Sequence, residues 1–131
     1  REREAELLVV GHAYRAAIAS YYFGGPAGAR QFPRHLEDLL DDRRGPLPRR
    51  HLRRLYADPV GRSAEWQVLR LPDGGIYGIA SRATAAPLKR ANFAPDDLAF
   101  AGAECYCDWR FEYLPQSDGR GAAVPARPPP R

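Results

Sequence analysis

Apolar residues recur on one helical face from the start of the chain. Leu7, Val10, Tyr14, Ile18 and Tyr21 follow one another at intervals of three and four, the spacing of a single helix face. Leu8, Ala17 and Tyr22 widen the stripe, and Ala13, Ala16 and Ala19 add helix propensity. The pattern predicts a helix over about 4–22, ended by Gly24-Gly25-Pro26 and roughly 28 Å long. It opens in Arg1-Glu2-Arg3-Glu4 without an N-cap residue, so the helix is expected to continue upstream. Pro33 suits a first helical position, and Leu36, Leu39 and Leu40 make a short apolar stripe. They predict a helix over about 34–42, broken by Gly45-Pro46-Leu47-Pro48. A second, over about 49–56, turns Leu52, Leu55 and Tyr56 inward and stops at Asp58-Pro59.

The period then changes from helical to alternating. Segments 65–71 and 76–82 flank Pro72-Asp73-Gly74-Gly75, a hairpin signal with glycine where positive φ is needed. Residues 83–103 are rich in Ala and Pro, without clear period, and read as a long excursion. Cys105, Cys107, Trp109, Phe111 and Tyr113 then alternate with Tyr106, Asp108, Arg110 and Glu112, predicting a strand over about 105–114. The tail, 115–131, is polar and proline-rich and is expected to be disordered. The sum is one α+β domain over 1–114, a long N-terminal helix packed on a three-stranded antiparallel sheet with a short helical region between.

Composition narrows this picture. A chain of 131 residues suits one domain. Ala supplies 21 of the apolar residues, so a few large side chains must build the core. There is no Met, as expected of a processed chain or a fragment of a longer one. No apolar run approaches the length of about 18 that a membrane span needs. The net charge is +4, and its whole excess lies in residues 1–54. There Arg43, Arg44, Arg49, Arg50, Arg53 and Arg54 follow directly on Glu37, Asp38, Asp41 and Asp42. Adjacent opposite charges without an interleaved aromatic favour a solvated, partly self-paired surface over nucleic acid or anionic lipid.

Candidate chemistry is sparse. Cys105 and Cys107 are too closely spaced for a zinc knuckle. In an extended strand their side chains lie about 6.5–7 Å apart, at the limit for a disulfide. Buried thiols, a local disulfide and a metal or redox pair all remain open. No nucleophile elbow, P-loop, zinc-protease or dinucleotide motif occurs. His12 reads as a packing residue; Ser20, Ser63 and Ser81 have no activating sequence neighbours. Asp41-Asp42 reads as a solvated pair, and Asp96-Asp97 as a cap for a short helix starting at Pro95. No catalytic residue, metal ligand or cofactor is assigned.

The order of features is more telling. Tyr21-Tyr22 ends the helix, a glycine loop leads to Phe32-Pro33 and Leu36, and Asp58-Pro59-Val60-Gly61 precedes Trp66. A Pro-Asp-Gly-Gly turn then opens Gly75-Ile76-Tyr77-Gly78-Ile79-Ala80-Ser81. This resembles the soluble domain of type II secretion pseudopilins and other type IV pilin-like proteins. There a Y-P-x-x-L-x-x-L segment follows the long helix, and a D-P-W-G segment leads to a hairpin ending in serine. The resemblance covers residues 1–82 and rests on Tyr22, Phe32, Pro33, Leu36, Asp58, Pro59, Gly61, Trp66, Gly75, Tyr77 and Ser81.

What the resemblance implies is assembly rather than catalysis. Such subunits are made with a Gly-Phe-x-x-x-Glu cleavage site and about 20 apolar residues that extend this helix into the inner membrane. They stack into a periplasmic filament on an inner-membrane assembly platform. The expected partners are therefore other pseudopilin subunits and that platform, with the membrane reached through the missing helix half. Leu7, Val10, Tyr14, Ile18 and Tyr21 would form the core and assembly helix. Arg1, Glu2, Arg3, Glu4, Arg49, Arg50, Arg53 and Arg54 are the candidate subunit contacts, and no nucleic acid is expected. Major pseudopilins carry a calcium loop after the final serine; residues 82–86 here hold no acid, so no calcium is expected. The alternative is a DNA-contacting pilin-like or other nucleic-acid-binding module using the arginines of 43–54.

Overall fold

The computed structural model describes residues 2–61 and 65–115. A long helix, α1 (Glu2–Phe23), lies against an antiparallel sheet of β1 (Gln67–Arg70), β2 (Ile76–Ala80) and β3 (Phe111–Glu112), ordered β1-β2-β3. The architecture is α+β. Leu7, Val10, Tyr14, Ile18 and Tyr21 are all buried, joined on the same face by Glu4, Gly11 and Ala17. Gly11 is the point of closest approach, since a Cβ there would strike the Phe111 ring of β3. The core continues through Leu39, Leu52, Trp66, Ile76, Ile79, Phe100, Tyr106, Trp109 and Phe111.

The β1–β2 hairpin pairs Gln67 with Ala80 and Leu69 with Gly78, then shifts register before Arg70 meets Ile76. Gly74, at φ 95°, closes the turn by donating its N–H to the Leu71 carbonyl at 2.8 Å. Tail residues 116–131 and the triplet 62–64, with Ser63, lie outside the described residues, as does Arg1.

Three elements differ from the sequence reading. The 34–42 helix contracts to a single 3-10 turn, Leu36–Leu39, capped by Asp38 accepting the Arg34 and His35 N–H groups. Pro33 does not start that turn; its carbonyl accepts the Ile76 N–H at 2.7 Å, tying the segment to β2. The 49–56 helix is absent. Arg49 instead exchanges both backbone hydrogen bonds with Asp42, and the His51 and Leu52 N–H groups donate to the Leu39 carbonyl. Backbone groups already paired across the loop are not free to form a helix ladder.

The 105–114 strand shortens to Phe111–Glu112. Cys105 and Cys107 form a disulfide with their Cα atoms 5.0 Å apart, closer than extended i and i+2 positions. The chain therefore curls into a 3-10 turn, Tyr106–Asp108. The curl swings Tyr106 inward although it belongs to the opposite parity from Trp109 and Phe111. The excursion 83–103 joins the core: its 3-10 segment Pro95–Gly102 stacks Phe100 on Trp109, ring centroids 5.3 Å apart.

Candidate functional site

The motif residues converge in space. Asp58, buried at the end of the irregular 49–57 stretch, accepts the Val60 and Gly61 N–H groups with Oδ1. Its Oδ2 takes the Ser81 hydroxyl at 2.5 Å, and Ser81 Oγ in turn accepts the Ala83 N–H. Asp58, Gly61 and Ser81 thus form one buried clasp between the loop before β1 and the chain after β2, beside Pro59. Trp66 donates its indole N–H to the Tyr56 carbonyl at 2.7 Å, where the Tyr14 hydroxyl also arrives at 3.0 Å. Tyr22 packs on Phe32 with centroids 4.7 Å apart, and Gly75 leaves room for the Phe32 Cβ. Leu36 packs against the core, and Tyr77 accepts an Arg110 N–H through its hydroxyl at 2.7 Å.

A groove of about 640 Å³ opens at the C-terminal end of α1. Tyr21, Tyr22 and Phe32 wall it together with Arg30, Arg34 and Arg44. Arg30 donates to the Phe23 carbonyl and Arg34 to the Asp73 carbonyl; these are neutral acceptors that leave the guanidinium charge in place. Asp38 and Asp73 also line it, but their carboxylates accept backbone N–H groups of their own turns.

Behind the groove lies a polar network that sequence reasoning missed. Asp42 is buried, not solvated. Its Oδ1 accepts Arg44 Nε at 2.8 Å and the Arg44 N–H, and its Oδ2 accepts Arg44 Nη2 at 2.7 Å. The Arg44 guanidinium beside it, against the opposing effect of burial and with help from His51, holds the Asp42 carboxyl far below the usual carboxylate range. Arg44 also stacks on the Tyr21 ring, 3.5 Å from its centroid. His51, with only 1% of its side chain exposed, hydrogen-bonds Asp42 Oδ2 through Nε2 at 2.8 Å. Its Nδ1 faces Ser20 Oγ at 2.6 Å. Ser20 thus has a histidine neighbour 31 positions away, invisible to local spacing.

The other singled-out residues sort as follows. Glu4 is not a surface contact: its Oε2 accepts the Leu88 and Lys89 N–H groups and the Tyr106 hydroxyl. Glu2 and Arg3 are exposed. His12 packs its edge on Phe111 and bonds Asp97 at 2.6 Å, where Arg15 also pairs at 2.5 Å. Asp97 is therefore a core ion-pair acceptor rather than a cap. Arg49, Arg50, Arg53 and Arg54 are all exposed, and among the described residues no carboxylate pairs with any of them. The expected self-pairing holds in part: Arg43 pairs with Asp41 and Arg44 with Asp42, but it stops there, because Asp42 is also taken by His51 and Asp38 by its turn.

Cys105, Cys107 and Asp108 place their ligand atoms within 4.8 Å of one another. With both sulfurs in the disulfide, no thiolate is available to a metal. No helix among the described residues is long and apolar enough to cross a membrane. Comparison with protein-family models, characterised proteins and solved structures gives no match for this chain.

Proposed function

We propose that this chain is a structural subunit of a type II secretion or related type IV pilus-like filament, acting by assembly rather than catalysis. The observation that carries the reading is the two-sided character of α1. One face is buried against the sheet along the whole helix; the other presents Ala5, Val9 and Ala16 to solvent, with Val9 68% exposed. This second face, which also carries Glu2, Arg3 and Glu6, is open to neighbouring subunits. The motif positions support the same reading by closing into shared contacts, Asp58 with Gly61 and Ser81, and Tyr22 with Phe32 and Gly75. A disulfide suits an oxidising compartment such as the periplasm. The reading carries with it an inner-membrane anchor through the upstream helix, and other pseudopilins and the assembly platform as partners.

The decisive test is the coding sequence upstream of residue 1. A short basic leader, Gly-Phe-x-x-x-Glu and about 20 apolar residues running into Arg1 are expected. A globular domain or a hydrophilic linker there would end the reading.

One observation favours a second reading. The four exposed arginines of 49–54, whose side chains meet no carboxylate among the described residues, form a cationic arm, which a nucleic-acid-contacting pilin-like module would use.

A further inference from the structure

We propose that Ser20, His51 and Asp42 form a nucleophile–base–carboxylate relay that makes the Ser20 hydroxyl an acyl-accepting site for small activated esters. This reactivity is independent of filament assembly. The chemistry follows from what each group is able to donate. Asp42 is buried and paired with Arg44, so it is an ionised acceptor with no proton to give. The nitrogen facing it, His51 Nε2, must therefore carry a hydrogen. In the neutral ring that leaves Nδ1 as an acceptor, and the Ser20 hydroxyl, 2.6 Å away, donates to it. Arg44 grips the carboxylate through both oxygens and Tyr21 packs edge-on against the imidazole at 5.6 Å. The base is thereby fixed in orientation and shielded from water, which is the requirement for an activated serine.

Access and charge are also present. Ser20 lies exposed on the last turns of α1, so an ester reaches Oγ directly from solvent. At Gly24, one turn on, a Cβ would lie 2.6 Å from Arg49 Nη1 and 2.9 Å from the Ser20 carbonyl oxygen. The bare glycine leaves room for this guanidinium, which pairs with no carboxylate among the described residues, near the Ser20 carbonyl. In the step, Ser20 Oγ bonds to the ester carbonyl carbon as its proton passes to His51 Nδ1. The bond from that carbon to the aryl oxygen breaks, the electron pair leaves on that oxygen, and the proton on Nδ1 neutralises it. Acyl-Ser20 and a phenol result.

The probe is p-nitrophenyl acetate, with the acetylated residue located by peptide mass spectrometry. A general base contributes about 10²–10⁴-fold, so the native chain should acetylate Ser20 at least about a hundredfold faster than the same chain unfolded in urea. Ser20→Ala, an exposed change, should abolish that label and its burst of phenol. His51→Gln should slow it by a similar factor while its circular dichroism stays native. Equal rates in native and unfolded protein, or label confined to Lys89 and other amines, would overturn the proposal. The native-to-urea comparison decides the matter even if the His51 variant fails to fold.

Discussion

Glu4 sits in the opening turn of α1, where a carboxylate is ordinarily solvated, yet its side chain is turned into the protein. Burial alone would raise its carboxyl; the Lys89 N–H, the Tyr106 hydroxyl and the Leu88 N–H outweigh it and hold the pKa below the ordinary 4.5. The carboxylate's contribution to stability is then complete above that ordinary value and is lost as pH falls through the folded one. Glu4→Ala should cost about 1–3 kcal/mol, because three donors lose their acceptor. It should also flatten the acid limb of a stability–pH profile measured by urea denaturation. Tyr14 acts at the other end of the scale, its hydroxyl pushed up to about 12 by burial. A raised folded pKa stabilises fully below the ordinary 10.0 and is lost as pH rises from there to about 12. Tyr14→Phe should remove that alkaline loss at a cost near about 1 kcal/mol for the hydrogen bond to Tyr56; an unchanged alkaline limb would show Tyr14 is not the titrating group. In the sequence Glu4 already lies three positions before Leu7, on the buried stripe. Its charge masked the periodic signal, and its partners lie 84 to 102 positions away, beyond any local pattern.

Among the elements, α1 was the most legible because one periodicity runs unbroken through it and nothing else in the chain competes for its backbone. Ile18, fully buried in its C-terminal third, should cost about 2–4 kcal/mol when truncated to Ala. A loss below about half a kilocalorie in chemical denaturation would show that the stripe is not core. The middle segments were misread for a common reason. The leucines of 36–55 have helical spacing, but Asp42 and Arg49 pair across the loop and Leu39 takes two N–H groups, so tertiary pairing overrides a short local preference. At 105–113 alternation was genuine for Trp109 and Phe111, yet the disulfide rearranged the residues before them. That cross-link closes a very short loop, for which chain entropy gives only about 1.5 kcal/mol. The paired change Cys105→Ser and Cys107→Ser should lower stability by about that much if the bridge acts mainly through the unfolded chain. A loss of more than about 4 kcal/mol would mean that it positions Tyr106 and its bond to Glu4.

For the molecule as a whole, the order helix then sheet was readable from the change of period, whereas the distribution of charge was not. Sequence adjacency of Glu37, Asp38, Asp41 and Asp42 to the arginines suggested neutralisation. The fold does pair Asp41 with Arg43 and Asp42 with Arg44, but it spends Asp42 also on His51 and Asp38 on turn N–H groups, leaving Arg49, Arg50, Arg53 and Arg54 exposed, as a cationic arm without a carboxylate partner among the described residues. Leu47 is 74% exposed, and residues 43–54 contain no Phe, Trp or Tyr for an unpaired base to stack on. Four guanidinium groups neutralise at most about four phosphates, so a logarithmic salt slope for duplex DNA is bounded near about −3.6. With so few contacts and no stacking platform, fluorescence anisotropy should give binding no tighter than about 100 μM, the weak end of nonspecific affinity, for labelled duplex and single strand alike. Replacing Arg49, Arg50, Arg53 and Arg54 together with Gln should leave that value little changed, while weakening any association between subunits that uses the arm. Submicromolar binding at about 50 mM salt that falls by orders of magnitude at about 200 mM, and that the fourfold change abolishes, would transfer the arm from subunit contact to nucleic acid.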